Sequence, residues 1–403
     1  MKKILTFALS MVFTLGCLCG CDGTSNNQTT EKENAAYGVN KVEDYLYTIS
    51  YDDYDYDAAE RYFEETVGDD ESFSCSACRS GNFVGRNYDW TYDENAEFVI
   101  SVPKGKDRHG SIGVAGCHSL LSLTKKAVES GKTSEDYEYL PFFTRDGIND
   151  AGVYVNDNMV ADGTMGQTLG TNPDGDRLCA LMIPRYVLDY ADSAEDAIEL
   201  LKEKNIYMPG TEEYTEEIHF LIADSEDTYV VEFINNELTV LEDEHIMTNF
   251  YLTGFDKTEQ ELSDFAIGVE RYNILRDHYE SVTTEEEMLE LMQSVKFSKY
   301  YDTNTVPFWY TDYCQDYSEY GMDLVLTSKD IGDPDLSQSL DGAGKFKEVI
   351  EDEIDLFNNR KRDGECWIGV HTSVYDFENK TLSVIAQENG KVFKFDIEGN
   401  EIN

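Results

Sequence analysis

The chain predicts a layered α+β domain, and three observations carry that reading. Strand-like runs rich in β-branched and aromatic residues crowd 73–115 and 219–252 and return after 366. Segments with helical spacing lie between these blocks. No unit repeats along the 403 residues. Strands gathered into blocks with helices between them belong to sheets covered by segregated helices, not to an alternating parallel fold.

The elements follow in order. Residues 57–66 have helical spacing. Residues 73–90 form a hairpin around Ser80-Gly81-Asn82, a tight-turn sequence between two β-like runs. Strands are expected at 98–103 and 111–115, and residues 145–156 suggest two turns and then a strand. Residues 178–190 are apolar at helical spacing. Asp192 or Ser193 caps a second helix reaching Lys202, with Glu195 and Asp196 in its first turn. Strands follow at 219–224, 228–233, 238–241 and 246–252, helices at 268–279 and 284–295, and strands again at 366–375, 381–387 and 391–397.

The first forty residues speak of location. Met1-Lys2-Lys3 is basic, residues 4–18 are almost wholly apolar, and Leu18-Cys19-Gly20-Cys21 has the order of a bacterial lipobox. The apolar run is too short to span a bilayer, so it reads as a secretion signal. Cleavage before Cys21 and lipidation of its thiol are expected. An ordinary signal peptide cut nearby is the alternative, and Cys17 is the weaker lipidation candidate because Thr14 replaces the aliphatic residue. Residues 22–40 are too polar to bury a core and read as a flexible linker. The expected location is extracytoplasmic, on the bacterial cell membrane by a lipid anchor only.

The formal charge of −49, from 32 basic and 81 acidic residues, repels nucleic acid and excludes that partner class. No Asp-x-Asp-x-Asp-Gly calcium loop occurs. Nine cysteines, less Cys17, Cys19 and Cys21, leave six. With Cys75 free, Cys78, Cys117, Cys179, Cys314 and Cys366 cannot all pair, and no zinc spacing is present. Cys75-Ser-Ala-Cys78 is a lone CxxC that turns back into a strand, where a thioredoxin-like motif would open a helix.

The chemistry concentrates in Cys75-Ser-Ala-Cys78-Arg-Ser-Gly-Asn-Phe-Val-Gly85-Arg86-Asn87-Tyr88-Asp89-Trp90. The hairpin brings a thiol, a permanent cation and a carboxylate together. A thiolate is the reactive form, and nearby positive charge favours it. Arg86 and Asp89 differ by three positions, so a regular strand faces them oppositely, and a twist or strand end must bring them together. Cys75 could instead be a buried structural thiol, Cys78 could replace it as nucleophile, and Arg86–Asp89 could be a plain ion pair. The six histidines carry no local motif for a Cys–His hydrolase and are expected to be structural or exposed.

Seven motifs stand in order along the chain: the Cys75 to Trp90 hairpin; Asp146-Gly-Ile-Asn-Asp-Ala-Gly152-Val-Tyr-Val; Leu181-Met-Ile-Pro184; Phe220-Leu-Ile-Ala-Asp224 with Val230-Val-Glu232; Ile246-Met-Thr-Asn249; Glu270-Arg271-Tyr272; and His371-Thr-Ser-Val-Tyr-Asp376 with Lys380-Thr-Leu382. Together they resemble the choloylglycine hydrolase and linear-amide C–N hydrolase family of N-terminal nucleophile hydrolases, which includes bile salt hydrolases, penicillin V acylases and the acid ceramidase branch. The resemblance implies a four-layer αββα sandwich and hydrolysis of a linear amide, without metal or organic cofactor. It implies Cys75 as nucleophile, freed by a cut after Ser74 so that its own α-amine takes the thiol proton. It implies that Arg86 polarises the thiol and holds substrate, that Asp89 orients the α-amine, that Asn249 donates to the oxyanion, and that Arg271 completes the charge network.

On this reading residues 1–21 are signal, 22–40 linker, 41–74 a pro-segment and 75–403 the hydrolase domain, with a small-molecule amide as the partner. Met159 stands where bile salt hydrolases place a second oxyanion asparagine, with Asn156 and Asn158 close but out of register. Two alternatives remain: an acyltransferase of the penicillin-biosynthetic type, and a non-catalytic binding lipoprotein on the same fold. Intact Cys75, Arg86, Asp89, Asn249 and Arg271 argue against the latter.

Overall fold

The computed structural model describes residues 38–66, 74–91, 96–116, 123–131, 134–160, 171–208, 217–235, 237–254, 269–296, 367–386 and 391–402. The signal segment, the lipidation candidate Cys21, and Cys17, Cys19, Cys117, Cys314 and Cys366 lie outside these residues. No helix among them is long and apolar enough to cross a membrane.

Two sheets dominate the described residues. The first runs β1-β2-β5-β6-β7-β8-β11-β12-β13. Its strands are β1 (Asn40–Glu43), β2 (Leu46–Ser50), β5 (Glu97–Val102), β6 (Ser111–Gly116), β7 (Thr144–Asn149), β8 (Tyr154–Val160), β11 (Glu217–Ala223), β12 (Thr228–Ile234) and β13 (Glu237–Glu242). The second runs β14-β3-β4-β15-β16-β17-β18. It contains β3 (Ser74–Ser80), β4 (Phe83–Thr91), β14 (Ile246–Met247), β15 (Trp367–Asp376), β16 (Thr381–Ala386), β17 (Phe393–Phe395) and β18 (Glu401–Ile402). A short parallel pair joins β9 (Arg177–Cys179) to β10 (Asn205–Tyr207).

The sheets face each other, with β3 packed against β8. Helices α4 (Ile183–Tyr190) and α5 (Ala194–Lys202) cover β7, β8 and β11, while α6 (Val269–His278) and α7 (Glu285–Val295) cover β3, β4, β14 and β15. The order is helix, sheet, sheet, helix: the αββα sandwich of an α+β domain. The central strands therefore have both faces buried, and β5, β6, β7 and β8 carry no exposed residue.

Local sequence explains most elements. Gly81, at φ +53°, turns the β3–β4 hairpin in a conformation that glycine adopts without steric cost. Ser193 caps α5 by accepting from the Asp196 amide. Thr284 and Glu287 form a reciprocal capping box on α7, whose Met288, Met292 and Val295 are fully buried.

The N-terminal part of the described chain belongs to the first sheet. Strand β2 pairs in parallel with β5 from Leu46↔Glu97 to Ser50↔Ser101. Helix α1 (Tyr56–Thr66) buries Ala59 and Phe63 completely, and the short helices α2 (Lys125–Glu129) and α3 (Asp136–Tyr139) follow between β6 and β7. Tyr54 and Tyr56 donate to the Asp189 carboxylate on α4, at 2.6 and 2.7 Å.

Four expectations are corrected. Residues 144–149 are a strand where turns were expected, because pairing with β6 and β8 satisfies their backbone on both sides. Helical spacing at 178–190 spans β9 and a 3₁₀ turn before α4 starts at Ile183, with Pro184 in its first turn. The strand expected at 246–252 stops at Met247, where buried side chains take over the backbone partners. The strand expected at 391–397 narrows to β17.

Gly113 lies where β6 passes β7 so closely that a Cβ would come 2.4 Å from the Asp146 carbonyl oxygen. Gly113→Ala is expected to destabilise the fold by about 1–3 kcal/mol, measured as a lower urea midpoint at unchanged m-value.

Candidate active site

Cys75 is the second residue of β3 and sits wholly buried opposite Tyr88 of β4. Ala77 lies opposite Arg86. Directly paired residues share a sheet face, so Cys75, Ala77, Arg86 and Tyr88 all point between the sheets. The small side chain of Ala77 leaves room for the guanidinium to reach diagonally. Arg86 Nη2 comes 3.5 Å from Cys75 Sγ. Cys78 is one strand parity away, buried against the helical layer, and both thiols are free. Burial alone pushes the Cys78 thiol up, and no cation offsets it.

Arg86 is anchored from the opposite sheet. Its Nη1 donates to Asp146 Oδ1 at 2.8 Å, and its Nη2 donates to the carbonyl oxygen and Oδ1 of Asp157 at 2.5 and 3.1 Å. Both carboxylates have further partners. Arg145 Nη1 holds Asp157 Oδ2 at 2.9 Å. Ser373 and Tyr375 donate hydroxyls to Asp146 Oδ2 at 2.6 and 2.7 Å. His371 Nε2 stands 3.0 Å from Asp146 Oδ1, and its Nδ1 stands 2.8 Å from Glu97 Oε2. Two register shifts aim these groups, one in β7 at Arg145 and one in β15 just before His371. Bulges of this kind redirect side chains beside functional sites.

Asn249 and Arg271 meet the main chain of Cys75. Asn249 Oδ1 accepts from the Cys75 amide at 2.9 Å and from Arg271 Nη2 at 2.7 Å. Its Nδ2 donates to the Met159 carbonyl at 2.7 Å. Two donors on one side and an acceptor on the other fix the orientation of this amide. Arg271, on α6, also donates through Nη1 to the Cys75 carbonyl and to Asp89 Oδ2, each at 3.2 Å. Asp89 therefore stays on the helix side of β4 while Arg86 faces the other sheet. The opposite parity read from the sequence holds: Arg86 reaches the Cys75 thiol from one face of the sheet, and Asp89 bonds on the other face to Arg271, which holds the Cys75 carbonyl.

The loop bearing Asn249 is secured by residues that the sequence reading did not assign. Asn158 Nδ2 and His219 Nε2 both donate to the Thr248 carbonyl, at 3.1 and 2.9 Å. The Glu232 carboxylate accepts the Leu252 and Thr253 amides at 2.7 and 3.0 Å. Asn156 Nδ2 holds Asn158 Oδ1 at 3.0 Å. Asn156 and Asn158 thus brace the loop in the uncut chain. The buried histidines His219 and His371 fit the structural expectation, yet each touches a group that fixes the site. The spacing of β-strand residues could place Asp146, Asn158 and His219 on sheet faces. Nothing local says that Asp146 meets an arginine sixty positions earlier.

Electrostatics favour an inert thiol in the intact chain. Burial pushes the Cys75 thiol up to about 12 against the lowering effect of Arg86. Burial also opposes charge on Arg86, but Cys75, Asp146 and Asp157 hold it above its ordinary range. Asp146, despite burial, is held well below the usual carboxylate range by His371, Arg86 and Ser373. His371 is raised because Asp146 and Glu97 outweigh its burial. A cleft of about 680 Å³ opens beside Tyr51, Tyr54, Tyr56, Tyr137 and Tyr139, and its lining includes none of these groups. Among the described residues no cluster of His, Cys, Asp and Glu is placed to hold a metal ion.

Residues 73–250 match the linear amide C–N hydrolases, choloylglycine hydrolase family. The resemblance read from the motifs holds over that stretch, which contains Cys75, Arg86, Asp89 and Asn249; Arg271 follows it. A mutant and a variant of conjugated bile acid hydrolase from Clostridium perfringens are similar in structure, at 13% and 15% identity. Their TM-scores are 0.42 and 0.41, and each comparison covers 82% of this chain and 95% of the other. Penicillin V acylase from Agrobacterium tumefaciens is similar at 13% identity and TM-score 0.38, over 80% of this chain and 86% of its own. No curated protein sequence matches.

The buried ion network makes stability pH-dependent on both sides. Asp146, depressed on folding, stabilises above the ordinary carboxylate value of about 3.9 and loses that contribution as pH falls through its lower folded value. His371, raised on folding, stabilises fully below about 6.5 and loses its contribution as pH rises through its higher folded value. Urea unfolding of His371→Gln should therefore lack the wild-type decline above about pH 6.5, while keeping the decline in acid.

Proposed function

We propose that this chain is a lipid-anchored, extracytoplasmic amidohydrolase that cleaves linear amides by a cysteine N-terminal nucleophile. The observation that carries the reading is the convergence on Cys75 of Arg86 from its own hairpin and of Asn249 and Arg271 from far along the chain, the last with Asp89 bonded to it. Arg86 lies at the thiol, Asn249 at the main-chain nitrogen, and Arg271 with its partner Asp89 at the carbonyl. A structural cysteine needs none of these.

The nitrogen contact suggests how the site matures. In the intact chain Cys75 N is a peptide amide whose hydrogen goes to Asn249 Oδ1. A cut after Ser74 turns the same atom into an α-amine, which ordinarily titrates near 8, one residue's length from its own thiol. That amine takes the thiol proton, and Arg86 stabilises the thiolate. The thiolate attacks the amide carbonyl, with Asn249 Nδ2 donating to the developing oxyanion, a task suited to a preorganised donor. The amine product leaves with the proton, and water releases the acid from the acyl-enzyme. The proposed substrate class is N-acyl amino acids or conjugated bile salts.

The same reading gives residues 41–74 the part of a pro-segment, linked by residues 22–40 to a lipid on Cys21. Strand β2 and helix α1 lie within this segment and bury Leu46, Tyr47, Ile49 and Phe63. The segment therefore stays bound after the cut and keeps the enzyme on its anchor.

N-terminal sequencing of the purified protein is expected to find a chain beginning at Cys75, and the Cys75→Ala protein is expected to remain uncut and inactive on a panel of acyl-amide substrates. An uncut, active wild type would overturn the reading. Gel filtration of the cut protein should show residues 41–74 co-eluting with the larger chain and separating only in denaturant. Dissociation without denaturant would mean that the buried contacts of β2 and α1 do not hold the segment.

A further inference from the structure

His371 has carboxylate oxygens against both ring nitrogens: Glu97 Oε2 at 2.8 Å from Nδ1 and Asp146 Oδ1 at 3.0 Å from Nε2. A neutral imidazole offers one donor and one acceptor, whereas the imidazolium offers two donors. Asp146 also receives Arg86 Nη1, Ser373 Oγ and the Tyr375 hydroxyl, as an ionised carboxylate does. The partners select the charged ring, with all three side chains cut off from solvent.

The charges in the surrounding interior give this ring a consequence. Asp146 from β7 and Glu97 from β5 bond it directly and Tyr88 from β4 lies against it; Arg86 from β4 and Tyr375 from its own strand reach it through Asp146, and Tyr154 and Asp157 from β8 and Arg145 from β7 lie further out along the same contacts. The Tyr88 ring lies 5.3 Å from the imidazole. Burial, the largest influence on each, holds the three tyrosines neutral, well above their ordinary range. His371 and Arg86 share one oxygen of Asp146, at 3.0 and 2.8 Å. Without the ring proton Arg86 answers that carboxylate without the help of the ring, and answers the thiolate as well.

We propose that His371 is a positioning residue for the nucleophile: its imidazolium neutralises the carboxylate that holds Arg86, so that the guanidinium charge is available to the Cys75 thiolate. This rests on the assignment of Cys75 as nucleophile. No atom of His371 need reach the substrate. It acts through Asp146 and Arg86, and its effect appears in the pH at which Cys75 ionises.

The test is the rate of Cys75 alkylation by iodoacetamide as a function of pH, located by peptide mass, in the processed wild type, His371→Gln and His371→Lys. Losing the buried positive charge in His371→Gln is expected to move the midpoint up by on the order of one pH unit. His371→Lys restores a positive charge at the same place and is expected to bring the midpoint back toward the wild-type value. A His371→Lys midpoint raised as far as that of His371→Gln overturns the proposal, as does a His371→Gln rate that falls equally at every pH. If His371→Gln does not fold, His371→Lys decides alone, and a midpoint raised by on the order of one pH unit overturns the proposal. Failure of the nucleophile assignment looks different: wild-type Cys75 would then be unreactive at every pH, and the proposal would fall with it.

Discussion

The structure depends on a guanidinium placed where water cannot reach it. Arg86 sits between two sheets, fully buried, in surroundings where an unpaired charge would be prohibitive. It is tolerated because the facing sheet supplies Asp146 and Asp157, and those carboxylates are themselves supplied with donors by Arg145, His371, Ser373 and Tyr375. Breaking such a group by removing one partner is far more damaging than never having built it. The sandwich cannot therefore slide by one residue: a shift of register would turn these side chains to the opposite faces.

That constraint couples fold to chemistry. The carboxylates occupy the two Nη atoms of Arg86 while one of those atoms still reaches the cysteine sulfur. On the helix side of the same strand, Arg271 ties Asp89, Asn249 and the Cys75 carbonyl together. Cys75 thus lies between two buried arginines, one addressing its side chain and one its backbone. The hairpin alone could not create this arrangement. The first arginine needs the opposite sheet, the second needs α6, and Asn249 needs the loop that His219, Asn158 and Glu232 pin in place.

How much of this was legible follows from the range of each interaction. The hairpin was legible because Gly81 and the alternation around it are local. The helices at 56–66, 194–202 and 285–295 were legible from caps and spacing. The strand at 144–149 was misread because Asp-Gly and Asn-Asp have strong turn chemistry, and only pairing on both sides overrides it. The strand after Met247 was overextended because apolar residues continue to Leu252, whereas the backbone there is claimed by side chains from β8, β11 and β12. Cys75, Arg86, Asp89, Asn249 and Arg271 were named from ordered motifs, and the fold brings all five together. Asp146, Asp157, Glu97 and His371 were not assigned roles, because their meaning is an ion-pair network assembled from four strands.

The energetics of the intact site fit the proposed maturation. A thiol pushed up to about 12 by burial is a poor nucleophile at neutral pH, although an arginine lies against it. Desolvation outweighs the single cation because both Nη atoms of that cation are already bonded to carboxylates. What the buried thiol lacks is a base of its own and a path to solvent. Cutting before Cys75 would supply both: it creates an amine where Asn249 already receives a hydrogen bond, and it removes the covalent link that continues the strand beside Asp89. If the proposed cut is made, the charges already paired around Arg86 in the intact chain are the ones that would serve the thiolate.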